Sequence, residues 1–500
     1  MGVNVGQILR QNAVRHPARV ALVEGRGASR TTSTYGSIDE RARRIAGGLL
    51  ASGVGENDRV LLCAGNHEGF VAAFFGIVYA GAVVVPAPIL SAPDEIALRV
   101  DRAGCRLALC DPEREALLRS AGTHGITIDA LPEAAPLDLP RELDPGADAM
   151  ILFTSGTTGE AKGARISHAS LLVHTATLVH HTLRLDIDDR VLGALPLTHS
   201  FGCRMALLAP FFAGAVVQLV PRFDAAATLA LLDEESITWA PVVPTMLAAW
   251  LRQPRGPPPR ALHWVLSAGA PLPAELACSA EHRLGVPVRQ GYGLTEATFS
   301  TVDGPPDAPV LGSVGRPVWG VEVRIVDADG ATVGHETDGE IEVRGHNAMT
   351  GYLDDPEATA AVRDGAWLRT GDVGHLDAAG RLYVVDRKKD LILRGGNNVY
   401  PAEVEEVLCR HPGVAEVAVV GRPDPYYGEE VVAVVVPHDG ADLRDLGSFA
   451  AAHLARTKVP RELVVIDELP LGPSGKVLKR VLRDRIAQGA LAPRPLPHQS

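Results

Sequence analysis

The sequence predicts an α/β protein: a large N-terminal domain of parallel-sheet α/β subdomains plus a small β-rich subdomain, followed by an α+β C-terminal domain. Three observations predict it. Short apolar runs such as RVLLC, AVVQLV, ITWAPVV and WVLS alternate with helical stretches, the pattern of parallel strands covered by helices on both faces. From about residue 312 the runs shorten and alternate, as in VEVRIVDADG and GEIEVRG, which reads as the β-rich subdomain. After Asp386 a compact unit follows, with a helix near 401–410, strands near 414–420 and 429–436, and a helix near 444–455.

Taken in order, residues 38–53 place Ile45, Leu49 and Leu50 on one helical face and end at Gly53, a helix stop. Residues 59–63 read as a strand, and so do 106–110. Between them, residues 70–90 are long and uncharged enough to suggest a membrane span. Gly81, Pro86, Pro88 and the β-branched Val83-Val84-Val85 instead predict a buried helix, a glycine stop and a short strand. Strands are expected at 191–195, 215–220, 237–243 and 264–267, with a helix opening at Pro273 and running to 284. Pro-rich stretches at 131–147 and 255–260 predict surface loops, and the ending LAPRPLPHQS a disordered tail.

Composition narrows the function. A net charge of −12 argues against general nucleic-acid affinity. Six cysteines without paired short spacings indicate neither a disulfide framework nor a zinc site, and fit thiols in a reducing, cytoplasmic compartment. The N-terminus lacks the apolar core of a signal peptide, and Gly6 stands where a myristoylation signal wants Ser or Thr.

Five stretches carry candidate chemistry. In ILFTSGTTGEAKG (151–163), an apolar strand end leads into Thr154, Ser155, Gly156, Thr157, Thr158 and Gly159, then Lys162. Small residues admit an anion, hydroxyls and amides donate to it, and Lys162 adds a compact positive charge. The spacing is not that of a P-loop, and a polar surface turn has the same composition. In GYGLTEAT (291–298), a strand feeds the glycine-flanked Tyr292, Gly293 following it, then Thr295 and Glu296. A ring so held can stack on a base, and Glu296 can hold Mg²⁺ beside phosphates; a glycine-rich turn is the plainer reading. LRTGDVG (368–374) offers Asp372, and VVDRKKDLILRGGNNVYPAEVE (384–405) offers a charge run at Arg387 to Lys389. LPLGPSGKVLKR (469–480) presents Lys476 after Ser474-Gly475. Taken singly, these last three are surface turns and solvated charges.

Together, and in this order, the five strings resemble the adenylate-forming superfamily of acyl-CoA synthetases, aryl-CoA ligases, luciferases and peptide-synthetase adenylation domains, over about residues 30–480. Weaker matches fill the intervals, notably GEIEVRGHNAMTGYLDDPEAT (339–359), similar to the family's structural glycine–tyrosine segment. Departures are small: Ala161 replaces the usual proline of the first string and Ala164 its usual valine.

The resemblance implies roles. Residues 154–159 form the phosphate loop with Lys162; Tyr292 faces adenine, Thr295 meets the α-phosphate and Glu296 positions Mg²⁺. Asp372 and Arg387 contact ribose. Residues 387–389, with Lys389 as the pivot, form the hinge between an adenylation domain, 1–386, and a mobile C-terminal domain, 390–500, whose Lys476 reaches the reacting carboxylate. Arg394, Gly395 and Gly396 line the CoA channel. His199, in PLTHSFG, falls near the acid, although a core histidine is a live alternative. Val242, Val243, Pro244 and Met246 are expected as an apolar wall, and Ser267, Ala268, Gly269 and Ala270, with Gly291, as a floor of small residues. No Asp accompanies His199, which argues against an α-amino acid substrate.

The implied reaction is ATP-dependent activation of a carboxylic acid to an acyl-AMP, then thioester formation with CoA. The alternative acceptor is the phosphopantetheine of a carrier protein acting in trans. A non-catalytic nucleotide binder is disfavoured by the intact Lys162, Glu296, Asp372, Arg387 and Lys476.

Overall fold

The computed structural model describes residues 2–123, 125–154, 161–388, 390–395, 397–472 and 477–497. Of the residues singled out above, Ser155 to Gly159, Lys389, Gly396 and Ser474 to Lys476 lie outside the described residues. The chain divides into two compact units, one made of Met1–Gly269, Leu276–Val323 and Val343–Leu368, the other of Ala270–Glu275, Arg324–Glu342 and Arg369–Ser500.

The first unit holds two sheets. One orders its seven strands as Gly351–Tyr352, Lys162–Ser167, Asp148–Thr154, Val83–Pro86, Arg59–Cys63, Leu107–Cys110 and Gly125–Thr127. The last five run parallel, and Lys162–Ser167 and Gly351–Tyr352 add antiparallel strands at one edge. Val60, Leu61 and Leu62 are fully buried at its centre, each such side chain contributing about 1.5–3 kcal/mol. The uncharged stretch resolves as expected: helix Glu68–Tyr79, buried throughout from Gly69, then Gly81 at φ +80° and strand Val83–Pro86. Among the described residues no helix is long and apolar enough to cross a membrane.

Helix Tyr35–Ala51 starts at a capping box in which the Thr34 hydroxyl accepts from the Ser37 amide. The Pro-rich loop lies close over this helix. A Cβ at Gly47 would sit 2.2 Å from the Ala135 carbonyl oxygen, so only glycine permits the approach.

The second sheet has nine strands, and its central four set out the candidate site. Arg190–Gly193, Trp239–Val242, Trp264–Ala268 and Val288–Leu294 lie side by side and parallel. Their carboxyl ends therefore open on one edge, the place where open α/β sheets bind ligands. Ala297–Val302 then turns back antiparallel on Val288–Leu294. The strand expected to stop before Tyr292 instead runs through it, so the GYG segment is strand rather than turn.

Strands Val321–Val326, Gly339–Gly345, Trp367–Leu376 and Leu382–Arg387, with the short Arg363–Asp364, make up the β-rich part, and the division between units falls inside the first three. In the second unit, a long hairpin joins Val414–Asp424 and Gly428–Pro437, and the latter strand also pairs with Ile392–Arg394 at its start and with Glu462–Val465 further along. Helices Pro401–Cys409 and Leu446–His453 pack with it. In the tail expected to be disordered, the described residues to 497 are docked: Arg494–Pro495 pairs with Glu462 and Leu463, and Leu496 is buried. Its prolines suit the edge strand, where a missing N–H costs no ladder bond.

Candidate active site

Thr295 and Glu296 form a two-residue turn between strands Val288–Leu294 and Ala297–Val302. The paired strands come so close beside it that a Cβ at Gly293 would lie 2.2 Å from the Phe299 amide nitrogen. That explains the second glycine around Tyr292 without any ligand. Tyr292 itself is half-buried, in register with Thr301.

The first string forms the ends of another hairpin. Thr154 faces Lys162 across strands Asp148–Thr154 and Lys162–Ser167, with the Thr154 hydroxyl 3.5 Å from the Lys162 carbonyl. The backbone of Tyr352 then pairs with Ala164, and the Leu353 amide donates to the Gly163 carbonyl at 2.8 Å. The Tyr352 ring lies under the Lys162 ammonium, 5.3 Å from Nζ, and its hydroxyl donates to Glu296 Oε1 at 2.7 Å. The Glu296 carbonyl accepts from the Met349 amide at 2.7 Å. One tyrosine thus holds both the lysine of the first string and the glutamate of the second. Burial first, then the neighbouring Glu296 charge, push its phenol far above its ordinary range, so it stays a donor.

This cluster fits a magnesium–polyphosphate pair. Glu296 has one oxygen fixed by Tyr352, and Mg²⁺ is usually held by one or two carboxylates plus substrate phosphates. Among the described residues no group of three or more His, Cys, Asp or Glu stands ready to hold a metal alone.

The acid-pocket residues of the first unit gather at the four strand ends. Val242 is in register with Ser267, and Ala268 with Gly291. Val242, Pro244, Met246, Ser267 and Ala268 are buried. Gly269 has φ +87°, and a Cβ there would meet Phe201 and Val243, each at 3.7 Å. His199 caps the short helix after strand Arg190–Gly193, its Nδ1 accepting from the Phe201 amide at 3.2 Å. Phe201 and Phe299 meet edge to face at 5.2 Å, and the Phe299 ring stands over Gly291. Sequence reasoning missed both phenylalanines and Tyr352. Tyr352 lay in a segment already quoted, but only strand pairing shows what its hydroxyl reaches.

In the second unit, Asp372 and Arg387 sit opposite each other on strands Trp367–Leu376 and Leu382–Arg387. Arg387 Nε is 3.2 Å from Asp372 Oδ1, and Asp372 is buried within a strand rather than placed on a surface turn. Arg394 is also buried: its Nε pairs with Glu430 at 2.8 Å and its Nη1 donates to the Thr457 and Val459 carbonyls. The next residue, Gly395, is exposed, at φ +57°. Ala270, also in this unit, is half-buried.

With this geometry in hand, comparison with known proteins assigns the class. The chain belongs to the AMP-binding enzyme family: that family's model matches residues 9–353, and the model of its C-terminal domain matches 403–476. A feruloyl-CoA synthase of Amycolatopsis sp. is 38% identical over 464 residues, covering 91% of this chain and 94% of that protein. ATP-bound MatB from Rhodopseudomonas palustris superposes with a TM-score of 0.91 at 31% identity, over 97% of this chain and 99% of that one. The o-succinylbenzoate CoA synthetase of Bacillus subtilis, in complex with its acyl-adenylate, gives 0.87 at 31% identity, over 95% and 98%.

Proposed function

We propose that this chain is an AMP-forming acid–CoA ligase whose acid carries an aromatic ring. The observation that carries the reading is the Lys162–Tyr352–Glu296 cluster: a cation and a carboxylate locked to one ring, beside the phosphate loop. In the first step the acid's carboxylate attacks the α-phosphorus of ATP, the bond to the β-phosphate oxygen breaks, and pyrophosphate leaves an acyl-AMP. In the second the thiol of CoA attacks the acyl carbonyl, AMP departs, and the thiol proton is lost.

The chain's own residues position and neutralise. Lys162, Thr295 and Lys476 spread the charge developing on the phosphates, the kind of preorganised stabilisation that dominates phosphoryl chemistry. Glu296 would hold Mg²⁺, which would add neutralisation of the phosphate charge. Tyr292 stacks on adenine, and Asp372 and Arg387 take the ribose hydroxyls. Lys389 is the hinge between residues 1–386 and 390–500. It lets the C-terminal domain withdraw Lys476 and bring Arg394, Gly395 and Gly396 toward the thiol.

An aromatic acid is favoured by the Phe201–Phe299 pair, whose rings pack against Gly269 and Gly291 among the expected acid-pocket residues. Feruloyl and o-succinylbenzoyl groups, named for two of the relatives, both carry rings. We place the enzyme in the cytoplasm, with CoA before a carrier protein as acceptor. The test is pyrophosphate release across aryl, short-chain and long-chain acids, with and without CoA, products read by mass spectrometry. Aryl-CoA formation supports the reading; acyl-AMP alone redirects it to a carrier protein; a preference for alkyl acids overturns the aromatic assignment.

A further inference from the structure

Beside the glycine loop assigned to the thiol channel stands a tyrosine that belongs to none of the five strings. Residues 425–427 turn between strands Val414–Asp424 and Gly428–Pro437, and Tyr427 is the last of them. Asp424 fixes the turn: its Oδ1 accepts from the Tyr426 amide at 2.9 Å and from the Tyr427 amide at 2.8 Å. An aspartate bonded to amides just ahead of it holds the backbone in a turn. Gly428 follows at φ +81°, a conformation that favours glycine.

From this turn Tyr427 reaches Gly395 twice. Its carbonyl accepts from the Gly395 amide at 2.7 Å, and a Cβ on Gly395 would lie 3.3 Å from ring atom Cδ1. The ring in turn carries two guanidiniums, with Arg394 Cζ 5.3 Å and Arg461 Cζ 4.7 Å from its centroid. At these distances a cation is attracted to an aromatic face. Arg461 Nη2 also donates to the Tyr427 hydroxyl at 3.2 Å. Both cations share the buried Glu430, whose Oε1 lies 2.8 Å from Arg394 Nε and whose Oε2 lies 3.7 Å from Arg461 Nη1. Arg394 is in register with Gly428. Loop and turn are thus tied by backbone, ring and charge.

A buried ion pair is weak evidence for stability; here it sets a guanidinium against the Tyr427 ring. Gly395 is exposed at φ +57°. An exposed glycine has the most conformations to lose, so it keeps one shape only where neighbours hold it. Tyr427 supplies both of the contacts that do so.

We propose that Tyr427 is the positioning residue of the thiol step, holding Gly395 in the shape that admits the pantetheine arm of the acceptor. CoA and a carrier protein both present that arm. Tyr427 acts through Gly395, not on the reacting atoms. The inference rests on the ligase reading and on the place of Gly395 in the thiol channel, and adds a residue to that site.

The test divides the reaction in the full chain. The acyl-AMP of an acid that the wild type turns over is supplied with CoA or with free pantetheine, and thioester is measured. Acid-dependent pyrophosphate exchange is measured separately. Tyr427→Ala should lower kcat/KM for both thiols by about 10–100-fold, the cost of a small misplacement near the chemistry, with exchange at the wild-type rate. Tyr427→Phe, which keeps the ring, should restore most of the thioester rate. Should Tyr427→Ala not fold, Tyr427→Leu, which fills the space without an aromatic face, takes its place with the same outcomes. Equal loss of exchange and thioester formation would make Tyr427 a packing residue and overturn the proposal, as would an unaffected second step. A loss confined to CoA, with pantetheine used as before, would make it a contact to the nucleotide and overturn it too. A wild type that releases pyrophosphate with no acid at all overturns the ligase reading first, so the two failures are distinguishable.

Discussion

The Tyr352 hydroxyl donates to Glu296 Oε1 at 2.7 Å while the same ring carries the Lys162 ammonium at 5.3 Å. The contact joins the edge strand Gly351–Tyr352 to a hairpin turn of the other sheet. A hydrogen bond to a charged group is worth more than a neutral one, and a cation over an aromatic face adds to it. The two charges expected to meet ATP and Mg²⁺ are thus fixed before either arrives.

Tyr352→Phe keeps the ring under Lys162 and frees Glu296. Losing a bond of roughly 1.5–3 kcal/mol to a carboxylate should lower the rate of pyrophosphate release about 10–100-fold and raise the Mg²⁺ concentration for half-maximal rate. Titrating Mg²⁺ in both proteins checks it. A variant that loses only thermal stability, with an unchanged Mg²⁺ response, would reduce Tyr352 to a packing residue.

Asp372 and Arg387 face each other in register, 3.2 Å apart, with Asp372 buried. Asp372→Asn preserves the shape and removes the charge that accepts from Arg387 and, in our reading, from ribose. KM for ATP should rise about tenfold or more, with KM for the acid unchanged, as initial rates at varied ATP and acid would show. A rise confined to the acid would misplace the residue.

Much of this was legible in residue order, and the exceptions have physical causes. The buried helix Glu68–Tyr79 and its strand were readable because an uncharged stretch broken by Gly81 and β-branched valines admits few other folds. At Tyr292 a glycine-rich turn stood open as the alternative, because its flanking glycines serve close strand approach as well as turns do; the Phe299 amide at Gly293 decides between them. The tail was misread from its prolines, yet Leu496 supplies a buried anchor. Asp372 and Arg387 were each legible by motif, but not their pairing. Tyr427 gave no signal, since a tyrosine in a polar turn takes on meaning only from what surrounds it.

His168 should make stability depend on pH. Its Nδ1 accepts from the Val5 amide at 3.2 Å, and burial lowers its pKa to about 4. As the folded value lies below that of the unfolded chain, the unfolded chain takes up the proton first as pH falls. The stabilisation is complete above pH 6.5 and is lost between about 6.5 and 4, amounting to about 3 kcal/mol. Urea midpoints at pH 7 and 4.5 should fall further in the wild type than in His168→Asn, whose amide oxygen still accepts from Val5. Equal falls would place the acid sensitivity elsewhere; fully buried His174, lowered by the same cause, is next in line.

The two half-reactions should separate at Lys476 and Lys389. By resemblance the lysine is needed only while the acyl-AMP forms, and the hinge only for the move to the thiol. Lys476→Ala should cut acid-dependent pyrophosphate exchange by about two to three orders of magnitude while CoA thioester still forms from supplied acyl-AMP. Lys389→Pro, which fixes φ and removes a donor where the backbone must turn, should leave exchange intact and stop thioester formation. Measuring exchange and single-turnover thioester yield in both variants gives a two-by-two outcome. Loss of both steps in folded Lys476→Ala would deny the lysine its assigned role. A normal second step in Lys389→Pro would place the hinge elsewhere in the chain.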